Sequence, residues 1–154
     1  MLQTAKVLIV EGRFYEDLSD ELCKGAIAVL DDAGIKYERL AVPGAFEIPQ
    51  AIRLAIRSME TGSSMHHYAG FIGFGCVIRG ETSHYDYVCQ ESSRALMDIV
   101  MQYSVALGYG ILTVENLNQA WERADITKKN KGGDVAKACL RMMEVKKYFH
   151  LVPR

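Results

Sequence analysis

The chain has 154 residues, 49% of them hydrophobic and 24% charged, which predicts one domain with a well-filled core and excludes a disordered chain. Eighteen basic residues against nineteen acidic ones leave a formal charge of −1, so the basic footprint of a dedicated nucleic-acid binder is missing, while a small anion held by a few local groups stays possible. No apolar run approaches the ~18 residues of a membrane helix, and residues 1–6 lack the basic segment and apolar stretch of a secretory signal; the expectation is a soluble, cytoplasmic protein with no membrane partner.

Lys6-Val7-Leu8-Ile9-Val10 opens the chain as a run apolar at nearly every position and ended by Glu11-Gly12, the pattern of a strand covered on both faces. Leu18, Leu22, Ala26, Val29, Leu30 and Ala33 then form one helical stripe, and Gly34 stands where a terminating glycine belongs. Residues 37–42 read as a second strand stopped by Pro43-Gly44. A second helical stripe, Ile48, Ile52, Ala55, Ile56 and Met59, closes near Thr61-Gly62, and residues 62–67 form a polar loop. Residues 71–78 make a third strand containing Gly73 and Gly75, which suggests close approach of another backbone or a ligand.

Val88, Ser92, Ala95, Leu96, Ile99, Val100 and Tyr103 trace a long helix, residues 109–114 a fourth strand, and residues 118–124 a short helix. Residues 128–133 read as a basic, glycine-containing link before a last helix striped by Val135, Ala138, Cys139, Met142 and Phe149. This alternation predicts a single three-layer α/β/α domain spanning residues 1–154. Its parallel sheet of about four strands is doubly wound in the flavodoxin-like manner.

Cys23, Cys76, Cys89 and Cys139 form no C-x-x-C pair and match no zinc or iron–sulfur spacing. Reduced, buried thiols are the first reading and a structural disulfide the second.

Ligands of open α/β sheets bind at the carboxyl ends of the strands, which nominates residues 11–15, 42–47, 79–84 and 115 onward. Arg79-Gly80-Glu81-Thr82-Ser83-His84 is the richest of these. Its plain reading is a strand-to-helix turn, with Ser83 and Asp86 in a capping pattern. Its functional reading is an anion site at free backbone N–H groups, with Gly80 leaving room. His84 is the one histidine at an expected strand end, which makes its imidazole the candidate proton carrier. His66, His67 and His150 read as surface residues. Ser83, His84 and Asp86 are too close in sequence to form a relay. Gly73-Phe74-Gly75 lacks the third glycine of a dinucleotide site, and no Walker sequence is present. Phe14, in Arg13-Phe14-Tyr15, either stacks on a planar heterocycle or caps the core. Glu47 either complements a helix dipole or accepts hydrogen bonds from a polyol.

Gly12-Arg13-Phe14, Val42-Pro43-Gly44-Ala45-Phe46-Glu47-Ile48-Pro49, Val77-Ile78-Arg79-Gly80-Glu81-Thr82-Ser83-His84-Tyr85, Gly110-Ile111-Leu112-Thr113-Val114-Glu115-Asn116 and Asn130-Lys131-Gly132 occur in one order and spacing. Together they make the chain resemble the 6,7-dimethyl-8-ribityllumazine synthase family of riboflavin biosynthesis over nearly its whole length. The resemblance implies condensation of 5-amino-6-(D-ribitylamino)uracil with 3,4-dihydroxy-2-butanone 4-phosphate, releasing phosphate and water, with no metal and no organic cofactor. It implies that Phe14 stacks on the pyrimidine and that Ala45, Phe46 and Glu47 line the ribityl chain. It implies too that Cys76, Val77 and Ile78 border the pyrimidine, with Tyr109 standing where many members have phenylalanine against it. By the same resemblance, backbone N–H groups of Glu81 and Thr82 would meet the phosphate, Arg123 would pair with it, and His84 would transfer protons.

The resemblance further implies a homopentamer whose sites are shared between neighbouring subunits. Residues 125–131 contain no glycine and three lysines; the expectation is therefore isolated pentamers and not capsids, since glycine enters left-handed turns without steric cost and crowded lysines repel. The competing readings are an archaeal-type riboflavin synthase of the same fold, a non-catalytic flavin or lumazine carrier, and a structural shell protein.

Overall fold

The computed structural model describes residues 6–63 and 66–151. Within the loop expected at 62–67, residues 64 and 65 lie outside the described residues. Strand β1 spans Lys6–Gly12, helix α1 Glu16–Asp32 and strand β2 Lys36–Val42. A 3-10 turn at Ala45–Glu47 leads directly into α2, Ile48–Thr61. Strand β3 (Tyr68–Ile78), α3 (His84–Tyr103), β4 (Leu107–Val114), α4 (Leu117–Ala124) and α5 (Lys131–Tyr148) follow.

All three strand pairings are parallel, in the order β2-β1-β3-β4. The expected doubly wound, flavodoxin-like arrangement is the one observed. Val7, Ile9, Ile72, Phe74, Leu112 and Val114 pack on one face of the sheet against α1, α4 and α5. Leu8, Val10, Phe71 and Ile111 pack on the other face against Ile48, Ile52 and Ile56 of α2 and Val88, Leu96 and Ile99 of α3. Burial on both faces explains why the strands read as continuous apolar runs and not as alternating ones.

The chain leaves β1 toward β2 and then returns across β1 to reach β3, so the direction of winding reverses between β1 and β3. Loops diverge there and open a crevice at the carboxyl ends of the two strands. The close approach expected at Gly73 and Gly75 is made by a side chain: a Cβ on either would lie 2.9 or 3.1 Å from Ile48 atoms. The start of α2 therefore lies flat on β3, and the 3-10 turn before it hangs over the crevice.

Several boundaries differ from the sequence expectation. Strand β1 runs to Gly12 and buries Glu11, because arginines pair with that carboxylate. Helix α3 starts at His84, where the Ser83 and Asp86 pattern puts it, but Ser83 makes no side-chain cap. Instead the backbone N–H of His84 donates to Thr82 Oγ1 at 3.3 Å. Gly132 and Gly133, expected in a link, form the first turn of α5 and are buried. A Cβ on Gly132 would lie 2.0 Å from the Leu22 carbonyl oxygen, so the absent side chain is what lets α5 seat on α1. The left-handed turn before α5 is supplied by Asn130, with φ of 45°, whose Oδ1 accepts from the Gly133 N–H at 3.2 Å. The absence of glycine from residues 125–131 thus does not deprive this link of a left-handed residue.

Candidate active site

A cavity of about 560 Å³ occupies the crevice at the β1/β3 reversal. Phe14 and Tyr15 of the β1–α1 loop form one wall, and residues 43–47 form another. Cys76, Val77 and Ile78 at the end of β3 make the floor, and His84, Tyr87 and Val88 of α3 close the remaining side. Eight residues nominated from the sequence meet here: Phe14, Ala45, Phe46, Glu47, Cys76, Val77, Ile78 and His84.

Two walls are locked together through backbone. The Arg13 N–H donates to the Val42 carbonyl at 3.0 Å. A Cβ on Gly12 would lie 2.7 Å from the Gly44 carbonyl carbon, closer than real Cβ atoms come. The loop after β1 therefore rests directly on the loop after β2. The rings on these loops are left open to solvent, Phe14 being 74% and Phe46 52% exposed. Large apolar rings in water at a cavity rim are available to a planar ligand.

Burial pushes the Cys76 thiol up to about 12, so it stays protonated at neutral pH and serves as an apolar wall, since the thiolate is the nucleophilic form. All four cysteines are free; Cys23, Cys76 and Cys139 are buried, as the first of the two readings has them, and Cys89 is half-buried. His84, the first residue of α3, faces the cavity while remaining exposed. Among the described residues, no carbonyl or side chain accepts from the backbone N–H of Glu81 or Thr82. Gly80 leaves open space on its side-chain side, with no atom within 4 Å of a built Cβ. These donors lie beside the start of a helix, where the peptide dipoles favour negative charge.

Glu81, Thr82, Tyr109 and Arg123 do not line the cavity. Glu81 and Thr82 adjoin it in the loop that ends at His84. Tyr109 lies on the edge strand β4 and is 41% exposed. Arg123 lies on α4, where its NH1 donates to the Gln119 carbonyl at 3.0 Å. Tyr15, Pro43 and Gly44, which lie in the nominated strand-end segments without an assigned role, also line the cavity, as do Tyr87 and Val88 outside those segments. Tyr87 and Val88 were accessible to sequence reasoning, because positions three and four beyond His84 share its helix face.

Comparison with known proteins agrees with this geometry. The family model for 6,7-dimethyl-8-ribityllumazine synthase matches residues 4–147. The chain is 49% identical over 143 residues to the 6,7-dimethyl-8-ribityllumazine synthase of Paramagnetospirillum magneticum, covering 93% of this chain and 95% of the relative. It is 50% identical over 145 residues to 6,7-dimethyl-8-ribityllumazine synthase 1 of Rhizobium meliloti, covering 94% of each. With the enzyme of the same name from Bartonella tribocorum it shares 50% identity over 149 residues, 97% of this chain and 95% of the relative. A cavity at the winding reversal, lined by the residues of those motifs and matched along nearly the whole chain, places this protein in the 6,7-dimethyl-8-ribityllumazine synthase family.

Proposed function

We propose that this protein condenses 5-amino-6-(D-ribitylamino)uracil with 3,4-dihydroxy-2-butanone 4-phosphate to give 6,7-dimethyl-8-ribityllumazine, phosphate and water. The observation that carries the reading is the meeting of Phe14, Glu47 and His84 in one cavity beside the N–H groups of Glu81 and Thr82, which have no acceptor among the described residues. A flat heterocycle, a polyol, a proton carrier and a phosphate each have a suitable neighbour there. The pyrimidine stacks on Phe14 against Cys76, Val77 and Ile78. The ribityl hydroxyls meet Glu47 and the backbone of Ala45 and Phe46. The phosphate sits at the start of α3.

The pyrimidine's amino nitrogen attacks the ketone carbon, and loss of water leaves an imine. Elimination then expels phosphate and leaves an enol, which tautomerises to a ketone at the carbon that carried the 3-hydroxyl; the ribityl nitrogen closes the ring on that new carbonyl with loss of a second water. Every step moves a proton, and the His84 imidazole is placed to carry it. Two reactants held in one cavity gain much of their acceleration from proximity alone.

Tyr109 and Arg123 belong to this scheme through a neighbouring copy. We assign them to the adjacent subunit's site in a homopentamer, Arg123 pairing with phosphate and Tyr109 lying against the pyrimidine. Their position outside their own subunit's cavity supports this, as do the exposed Leu54, Met97, Met101 and Leu117. Pentamers that do not assemble further fit the lysines of residues 125–131, which would repel at a contact between pentamers. The four free thiols suit a cytoplasmic location. Supplying the purified protein with both substrates tests the reaction: lumazine absorbance and fluorescence should appear. Conversion of supplied lumazine to riboflavin would instead favour the synthase of the next step, and no change in either would favour a carrier.

A further inference from the structure

We propose that Glu11, which does not line the cavity, is a positioning residue for the pyrimidine half of the site, acting through Arg13 on the loop that carries Phe14. The inference rests on the reaction proposed above for its substrate assignment. Its structural part stands independently.

Glu11 lies near the end of β1 on the face covered by α1, with its side chain only 3% exposed. Arg39 of β2 binds it through one guanidinium edge in a bidentate pair, Nε to Oε2 at 2.7 Å and NH2 to Oε1 at 2.9 Å. Arg13 NH1 reaches Oε1 at 2.7 Å. Asp20 of α1 closes the group, its Oδ1 lying 2.9 Å from Arg13 and 3.5 Å from Arg39. Two positive and two negative groups thus form a neutral quartet under the β1–α1 loop. A buried carboxylate ringed by partly exposed charges is not what a fold needs for stability, since an apolar residue of similar volume often serves as well. What it supplies is geometry, because a planar guanidinium held by two carboxylates has little freedom to swing.

Phe14 needs that geometry from outside itself. Its ring is 74% exposed and has one ring neighbour, the edge of Tyr15 at 4.8 Å between centroids. Side-chain packing therefore cannot define where the ring stands, and the preceding residue has to. Arg13 is pinned at both ends: its amide donates to the Val42 carbonyl, and its guanidinium is clamped between Glu11 and Asp20. Loss of the Glu11 charge frees one end and lets Phe14 wander from the plane a pyrimidine would meet.

The test compares the unaltered protein with Glu11→Gln and Asp20→Asn by steady-state kinetics and by amide hydrogen exchange at residues 12–15 without substrate. Glu11→Gln should raise KM for the pyrimidine about tenfold while changing KM for the butanone phosphate less than about twofold. Asp20→Asn should shift the same constant in the same direction by less. Both should speed exchange at residues 12–15. Equal changes in both KM values, or none, would overturn the proposal, as would unchanged exchange. If Glu11→Gln fails to fold, Asp20→Asn carries the test, since Asp20 is 58% exposed and outside the core. An unaltered protein that makes no lumazine contradicts the proposed reaction, and the exchange comparison still decides whether Glu11 holds the loop.

Discussion

The guanidinium of Arg79 meets the carboxylate of Glu115 at 2.7 Å, tying the loop after β3 to the loop after β4. The same guanidinium lies 3.3 Å from Asp86 and 4.3 Å above the ring of Tyr85, both on α3. One side chain therefore braces the segment that presents Glu81, Thr82 and His84. Its surroundings are solvent-exposed, so the pair contributes little to stability. Arg79→Ala should leave the melting temperature nearly unchanged and raise KM for the butanone phosphate about fivefold. Steady-state kinetics with each substrate varied in turn would show this, and an unchanged KM would confine Arg79 to the surface.

His84→Ala should lower kcat by about tenfold to a hundredfold and leave pyrimidine binding intact, because proximity continues to operate without the proton carrier. An unchanged kcat would remove His84 from the mechanism.

Arg123→Ala should raise KM for the butanone phosphate far more than KM for the pyrimidine, and Arg123→Lys should restore it only in part. A guanidinium meets phosphate through two parallel hydrogen bonds and an ammonium through a point charge. Equal effects on both substrates would mean that Arg123 supports α4 alone.

Burial raises the Glu11 carboxyl, but hydrogen bonds from Arg39 and Arg13 outweigh it and hold the group below the usual range for glutamate. A carboxyl depressed in the folded state adds stability above its unfolded value of ~4.3, and that contribution is lost as pH falls through the folded value. Glu11→Gln should therefore cost about 2 kcal/mol at neutral pH, less than a fully buried pair because Arg39 is 40% exposed. Urea unfolding of both proteins from pH 7 downward checks the sign. The difference between them should shrink at acid pH, and a difference that grew there would contradict the assignment.

Gly132→Ala should destabilise the fold by about 2 kcal/mol, because the new methyl would meet the Leu22 carbonyl of α1. Thermal unfolding measures it. A melting temperature equal to that of the unaltered protein would show that α1 and α5 separate without cost.

The layers and the strand direction were legible because buried parallel strands and amphipathic helices have different periods, and this chain keeps them distinct from Lys6 onward. The start of α5 was not legible. Gly132 and Gly133 are poor helix formers by propensity, and only the close approach of Leu22, far away in sequence, makes glycine the residue that fits. The start of α3 was legible in the Ser83 and Asp86 pattern, although His84 precedes the apolar stripe by four residues and Ser83 makes no side-chain cap. Within the site, the strand-end rule gathered Phe14, Glu47 and His84 correctly into one place. Glu11 read as the end of a strand, because a buried charge is recognisable only once Arg39 and Asp20 are seen beside it. Tyr109 and Arg123, which lie outside the quoted motifs, drew their roles from the family resemblance as a whole, and the single chain leaves both outside its own cavity.

The measurement that bears most directly on the proposed reaction follows lumazine and inorganic phosphate together in one reaction containing the purified protein and both substrates. The account predicts that the two products appear one for one above the uncatalysed background, and that neither rises above that background when either substrate is omitted. Phosphate release without lumazine, or no acceleration of either product, would contradict it.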